Sequence, residues 1–282
     1  MSDIIRLHNH ILKPRWEWRP KLNPNHPLSI GLVGLWLFNE TGGLKAYDLS
    51  NQGNHGTLTG PTHVPRWAPG RSGQALSFDG EDDYLEVADS PSLDFGAGDF
   101  SVAMWVYKRA NSASWDNVWG INKWNTGGSP GTNEWFFNLT LIGDENTFLF
   151  GIEDGTTEYD VSDTATFSLN TWYHAVGVKY RTYLYIYVNG IQKNSNNIGV
   201  HSVNNVGRTV RVANSGLNDL LTDAIFDGIR IYNRALSAQE IRWLYAQPYA
   251  MFKRRPVWMD YVAAAGGLSI PVAMDIYRQR RN

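Results

Sequence analysis

The chain of 282 residues contains no cysteine. Disulfides, thiol nucleophiles and thiolate metal sites are therefore excluded, and a reducing compartment such as the cytoplasm is favoured. No apolar run reaches membrane-spanning length. The first residues, Met-Ser-Asp-Ile-Ile-Arg-Leu-His-Asn-His, lack the long apolar core of a signal peptide. No two of the seven histidines have zinc-site spacing, and no Ser/His/Asp order stands out. The net charge is only −2, too small to steer the whole chain to a polyanion.

What is present is glycine (27 residues) and aromatic side chains (13%), a mixture suited to β-structure with many tight turns. The length allows one large β domain with extensions. The small net charge hides an asymmetry. Residues 1–30 hold five Lys/Arg against two acids and residues 247–282 hold six against two, which leaves 14 basic and 23 acidic residues between them. Basic ends on an acidic body predict that the ends meet something acidic. The basic runs are too short to read as a nucleic-acid surface.

The chain is organised around Ala75–Val87, Ala-Leu-Ser-Phe-Asp-Gly-Glu-Asp-Asp-Tyr-Leu-Glu-Val. Leu76 and Phe78 alternate with small or polar residues, and Leu85 and Val87 do the same beyond the turn. The spacing predicts a β-hairpin whose turn, Asp79-Gly80-Glu81-Asp82-Asp83, carries four carboxylates. These are either well solvated or held by a cation.

Other strands follow from the same periodicity. Leu32 to Phe38 is apolar on both faces, which predicts a strand buried on both sides. Asn117–Lys123 and Trp135–Leu141 flank a long loop. Tyr173–Lys179 and Tyr183–Val188 form a hairpin, and Asn189-Gly190 is a two-residue turn into Ile191. Ile225, Asp227, Ile229 and Ile231 share one face of the last strand. Ser237-Ala-Gln-Glu240 is a capping box opening a short helix.

Two aromatic groups are candidate ligand surfaces. Trp115, Trp119, Trp124 and Trp135 cluster around the long loop. Flat rings stack on sugars, but the same residues could fill the sandwich or face another subunit. Tyr183, Tyr185 and Tyr187 share a strand face that is a ligand surface, an interface or the second side of a packed sheet. Trp115, Trp124, Tyr183 and Tyr185 are the candidate glycan residues. His174, between Trp172 and Val176, reads as a hydrogen-bonded core residue rather than a base.

Residues 1–30 carry Pro14, Pro20, Pro24 and Pro27, which bar a helix. They read as an extended arm. Residues 247–282 mix the basic cluster Lys253-Arg254-Arg255 with large apolar groups and read as a second arm. Arg15, Trp16, Trp18, Arg19, Lys253, Arg254, Arg255, Trp258 and Tyr261 are the expected assembly residues, since interfaces favour aromatic anchors with arginine.

Five segments in order, Ala75–Val87, Asp99–Val106, Thr171–Val178, Leu184–Gly190 and Asp227–Ser237, resemble the laminin-G-like, concanavalin A-like family from about Gly31 to Ala246. The resemblance implies an all-β jelly roll of two antiparallel sheets over 31–246, with one short helix and arms at 1–30 and 247–282. Related domains often bind Ca²⁺ at a sheet edge, so Asp79, Asp82 and Asp83 become candidate ligands. Asp227 joins them because this family often places an acid near that turn. The family also includes laminarinase-type glycosidases with a Glu-x-Asp-x-x-Glu strand. Glu81, Asp83 and Glu86 fit it formally, but Asp82 stands where that family has an apolar residue and Gly80 puts Glu81 in a turn. A catalytic role is not expected.

The ends, with Met-Phe-Lys-Arg-Arg-Pro and Ser-Ile-Pro-Val, resemble laminin-G-like proteins of tailed bacteriophages. That resemblance implies a virion structural protein decorating a capsid or other virion surface, a homo-oligomer (most simply a trimer) touching capsid proteins. The alternative is a carbohydrate-binding module for surface glycans.

Overall fold

The computed structural model describes residues 13–15, 20–111, 119–123, 134–142, 145–163, 165–214 and 222–253. Sixteen strands lie among the described residues: β1 (Leu32–Trp36), β2 (Lys45–Ala46), β3 (Gly56–Thr59), β4 (Arg66–Pro69), β5 (Gln74–Asp79), β6 (Tyr84–Val87), β7 (Phe100–Lys108), β8 (Trp119–Lys123), β9 (Trp135–Ile142), β10 (Glu145–Glu153), β11 (Glu158–Ser162), β12 (Trp172–Tyr180), β13 (Tyr183–Val188), β14 (Ile191–Asn197), β15 (Val210–Val212) and β16 (Asp223–Tyr232). One helix, α1 (Ala238–Ala246), follows, with the capping box between Ser237 and Glu240 formed.

The strands make two antiparallel sheets. The first runs β14-β13-β12-β7-β16-β5-β4, with β1 also on β16; the second runs β11-β10-β9-β8-β15-β6-β3-β2. Alternate residues point between them. Leu76, Phe78, Val102, Met104, Val106, Leu184 and Ile186 of the first sheet meet Leu85, Val87, Ile121, Phe137, Leu139, Phe148 and Phe150 of the second in one core. This is the jelly-roll sandwich expected from the sequence.

The first sheet is buried on its other face too. Ala103, Val176, Val178, Tyr187 and Tyr232 lie under Leu28, Ile241 and Leu244 of α1, Tyr249 and Met251. That second layer explains why all of β1 is buried. It also decides the tyrosine stripe. Tyr187 is the second side of a packed sheet, Tyr185 is half-buried against the same layer, and Tyr183 is exposed.

The expected β-hairpin at the acidic turn is not formed. β5 pairs with β4 and β16 in the first sheet, and β6 pairs with β3 and β15 in the second. Gly80–Asp83 is a corner crossing from one sheet to the other. Leu76 and Phe78 thus face Leu85 and Val87 across the core instead of lying beside them. Alternation fixes which residues point inward, not which strand is the neighbour.

The last strand is also out of the expected register. Asp227 lies opposite Trp105 but Arg230 lies opposite Ala103, so β16 carries one extra residue. This β-bulge reverses the alternation. Phe226, Ile229 and Ile231 enter the main core, while Asp227 and Arg230 are buried elsewhere.

The described parts of the terminal segments dock on the chain's own body. Leu22 bridges to Phe252, Asn23 N–H donates to the Met251 carbonyl at 2.8 Å, and Lys253 N–H donates to the Lys21 carbonyl at 2.8 Å. Lys13 pairs with Asp227, and Asn39 Nδ2 donates to the Pro14 carbonyl at 2.5 Å. Arg15 and the Lys253 side chain are exposed. Trp16, Trp18, Arg19, Arg254, Arg255, Trp258 and Tyr261 lie outside the described residues.

Candidate functional site

The outer face of the second sheet carries a polar line across five strands. Because Leu85, Val212, Ile121, Phe137 and Phe148 point into the core, their neighbours Glu86, Arg211, Asn122, Asn138 and Thr147 point outward. The register joins them. Glu86 opposes Arg211, Arg211 opposes Asn122, Asn122 opposes Phe136, and Asn138 and Thr147 lie on diagonally adjacent positions of β9 and β10.

The groups on this line differ in how they are satisfied. Arg211 Nε donates to Glu86 Oε2 at 2.9 Å, and its guanidinium lies 4.9 Å from the Tyr84 ring centroid. Asn122 Nδ2 donates to the Asn214 carbonyl at 3.0 Å. Asn122 Oδ1, Asn138 Oδ1 and Thr147 Oγ1 have no hydrogen-bond partner among the described residues, although all three side chains are buried. A buried polar atom without a partner costs about 1–3 kcal/mol. All three atoms lie on one sheet face and are closed to solvent.

Tyr183 and Tyr185 lie on the other sheet. Their rings stack with centroids 5.7 Å apart and planes 27° from parallel. Tyr183 opposes Asn197 and Tyr185 opposes Ser195 across β13 and β14, which puts an amide and a hydroxyl on the same face as the rings. Trp135 fills the core. Trp115 and Trp124 lie outside the described residues.

The family model described as the concanavalin A-like lectin/glucanases superfamily (Laminin_G_3) matches residues 79–242, more than half of the chain. The chain belongs to this superfamily. Similar solved structures are the binding domain of Paraclostridial Mosquitocidal Protein 1 (TM-score 0.63, 20% identity, 77% of this chain and 52% of that one) and domain 4 of AbnA, a GH43 extracellular arabinanase from Geobacillus stearothermophilus, in complex with arabinotriose (TM-score 0.60, 19% identity, 76% and 98%). The binding domain of botulinum neurotoxin serotype G is similar too (TM-score 0.58, 16% identity, 76% and 50%). The chain spans about half the length of the toxin domains. A search of curated proteins finds no match.

The superfamily's glucanase members make the acidic corner worth testing for catalysis. Retaining hydrolysis needs two carboxyl groups about 5–5.5 Å apart facing one bond. β6 pairs regularly with β3 from Tyr84 to Val87. Asp83 therefore falls on the inward side and is buried, while Glu86 falls on the outward side and is held by Arg211. Glu81 sits in the corner, its N–H donating to Asp79 Oδ1 at 2.9 Å. Asp83 and Glu86 of the Glu-x-Asp-x-x-Glu pattern therefore lie on opposite faces of β6.

The calcium expectation is also altered. Asp227 is not at the corner: it lies four residues, about 13 Å of strand, from Asp223, the partner of Asp79. There it is buried and ion-paired with Lys13. Asp83 Oδ1 accepts the Asp79 N–H at 3.0 Å, and burial, followed by the charges of Asp79 and Asp82, pushes its carboxyl up to about 7. Asp79 and Asp82 lie at the corner, and the structure adds His63, with one ligand atom from each within 4.8 Å of the others. Ca²⁺ takes six to eight oxygens. Asp79 and Asp82 supply only part of that set. Sequence reasoning missed His63 because it belongs to the β3–β4 connection, with no pattern linking it to the corner.

His174 is in the interior as expected, but neither ring nitrogen has a hydrogen-bond partner among the described residues. Its ring packs 4.9 Å from Trp105 and 6.0 Å from Tyr245.

Proposed function

We propose that the chain is a non-catalytic carbohydrate-binding module that takes a glycan on the outer face of its second sheet. The observation that carries this is the line of unpartnered polar atoms, Asn122 Oδ1, Asn138 Oδ1 and Thr147 Oγ1, beside Phe136 and Arg211. All three atoms are closed to solvent in this structure, so a ligand reaches them only by displacing what covers that face. Sugars offer what such a line lacks: closely spaced hydroxyl donors around an apolar ring face. The similar fold of the arabinanase domain solved with arabinotriose, and of a botulinum neurotoxin DC binding domain solved with SialylT, supports this reading. The virion-surface role expected from the terminal segments draws no support from the fold or these neighbours. Leu22, Asn23 and the Lys253 backbone in the described parts of those segments dock on the chain's own body, while the Arg15 and Lys253 side chains are exposed.

The test is a glycan array with the whole chain, followed by calorimetric titration of any retained glycan into the protein and its Asn122→Ala and Asn138→Ala variants. Each substitution is expected to weaken binding about tenfold, the loss of one buried hydrogen bond. Retention of no glycan, or wild-type affinity in both variants, overturns the proposal.

A further inference from the structure

We propose that His63, Asp79 and Asp82 form a binding site for a borderline divalent transition-metal ion, with Zn²⁺ as the probe. This is independent of the glycan reading. His63 comes from the connection between β3 and β4, Asp79 ends β5, and Asp82 lies in the corner before β6. The fold brings one nitrogen and two carboxylate oxygens within 4.8 Å of one another. Three ligands at the usual ~2.0–2.2 Å from a common ion stand up to about 4 Å apart, so closure needs only a small shift.

Asp82 and the backbone that carries His63 are held in place without an ion. Asp82 Oδ2 accepts the Thr62 N–H at 2.8 Å and Asp82 Oδ1 accepts the His63 N–H at 3.2 Å, which fastens the β3–β4 connection to the corner. Gly60 seals that arrangement, since a Cβ there would lie 1.6 Å from the His63 carbonyl oxygen. An ionised carboxylate has about four lone-pair sites, so both aspartates keep capacity for a metal. His63 Nδ1 stands 3.8 Å from Asp82 Oδ1, and the imidazole is 45% exposed. An ion can enter from solvent and keep open positions for water.

The donor set names the class of ion. An imidazole nitrogen with two carboxylates suits zinc and its neighbours, whereas Ca²⁺ and Mg²⁺ prefer oxygen alone. Charge favours occupancy: Asp79, Glu81 and Asp82 crowd the corner, and the nearby guanidinium of Arg109 is already paired with Asp223.

The experiment is calorimetric titration of Zn²⁺ into EDTA-treated, dialysed full chain, with the thermal midpoint recorded in parallel. The expected result is one ion per chain, a raised midpoint, and no competition from excess Ca²⁺. His63→Ala, at an exposed position, should fold and lose at least about tenfold in affinity together with the rise in midpoint; Asp79→Asn should do the same. Absence of Zn²⁺ heat in the wild type overturns the site. So does equal Zn²⁺ binding in wild type and His63→Ala, and so does Ca²⁺ binding that survives His63→Ala.

Discussion

Lys13 and Asp227, 214 positions apart in the chain, form an ion pair closed to solvent on both sides. Lys13 Nζ also donates to the Gln74 carbonyl, and Asp227 Oδ2 accepts the Ser72 N–H at 3.4 Å. Burial lowers the Lys13 pKa and raises that of Asp227. Each charge is therefore tolerated only because of the other. Lys13→Met leaves a buried carboxylate uncompensated and should cost about 3–5 kcal/mol in denaturant unfolding. Lys13→Met with Asp227→Leu should recover most of that loss. Equal stability of wild type and Lys13→Met would show that the Lys13–Asp227 pair contributes nothing to the fold.

His174 predicts an acid-sensitive fold. Burial, and then the charges of Arg230 and Arg71, hold its imidazole well below the ordinary value. The Arg71 guanidinium lies 3.6 Å above the Trp105 ring, which separates His174 from Asp227 on the same row of the sheet. In the unfolded chain His174 takes up a proton near pH 6.5; in the folded chain it does not. The unfolded state then binds more protons, so stability falls as pH drops below about 6.5, by up to ~1.4 kcal/mol per pH unit. His174→Phe should remove that slope. Unfolding midpoints at pH 7, 6 and 5 for both proteins give the comparison, and parallel curves would refute it.

The helix that covers the first sheet depends on its cap. Ser237 Oγ accepts the Glu240 N–H at 3.3 Å, Glu240 Oε2 accepts the Ser237 N–H at 2.9 Å, and Arg234 pairs with Glu240 at 2.7 Å. Ser237→Ala should cost about 1 kcal/mol. Glu240→Gln keeps the box but loses the ion pair and should cost less, because this half-buried pair at the surface is still screened by solvent. Urea unfolding of the two variants checks the order.

Local signals in the sequence were legible and relations between distant segments were not. The Ser237 box, the Asn189-Gly190 turn with φ of +51° and +80°, and the inward face of β13 with Leu184, Ile186 and Val188 all follow from residues a few positions apart. The β5–β6 corner did not, because the same alternation serves a hairpin and a crossing between sheets. The extra residue at Asp227–Arg230 did not either, since a bulge leaves no composition signal here, and it alone moves Asp227 off the face shared by Ile229 and Ile231. The polar line on the second sheet was missed for a related reason. Asn122, Asn138 and Thr147 are unremarkable polar residues in the sequence, and only the register of β8, β9 and β10 sets them side by side.

That face yields a prediction in which stability and binding move in opposite directions. Asn138 is buried with its Oδ1 unpartnered among the described residues, and it lies opposite Leu149 on the same face. If the amide is there for a ligand, the chain bears the desolvation of that oxygen whenever the ligand is absent. Asn138→Leu removes the orphaned oxygen and adds an apolar neighbour for Leu149, so it should raise stability by about 1 kcal/mol. The same change should abolish retention of any glycan that the wild type binds. Unfolding and binding measured on one preparation separate the cases. A variant that is less stable would mean that Asn138 serves the fold, and one that is more stable yet still binds would move the ligand off this line of side chains.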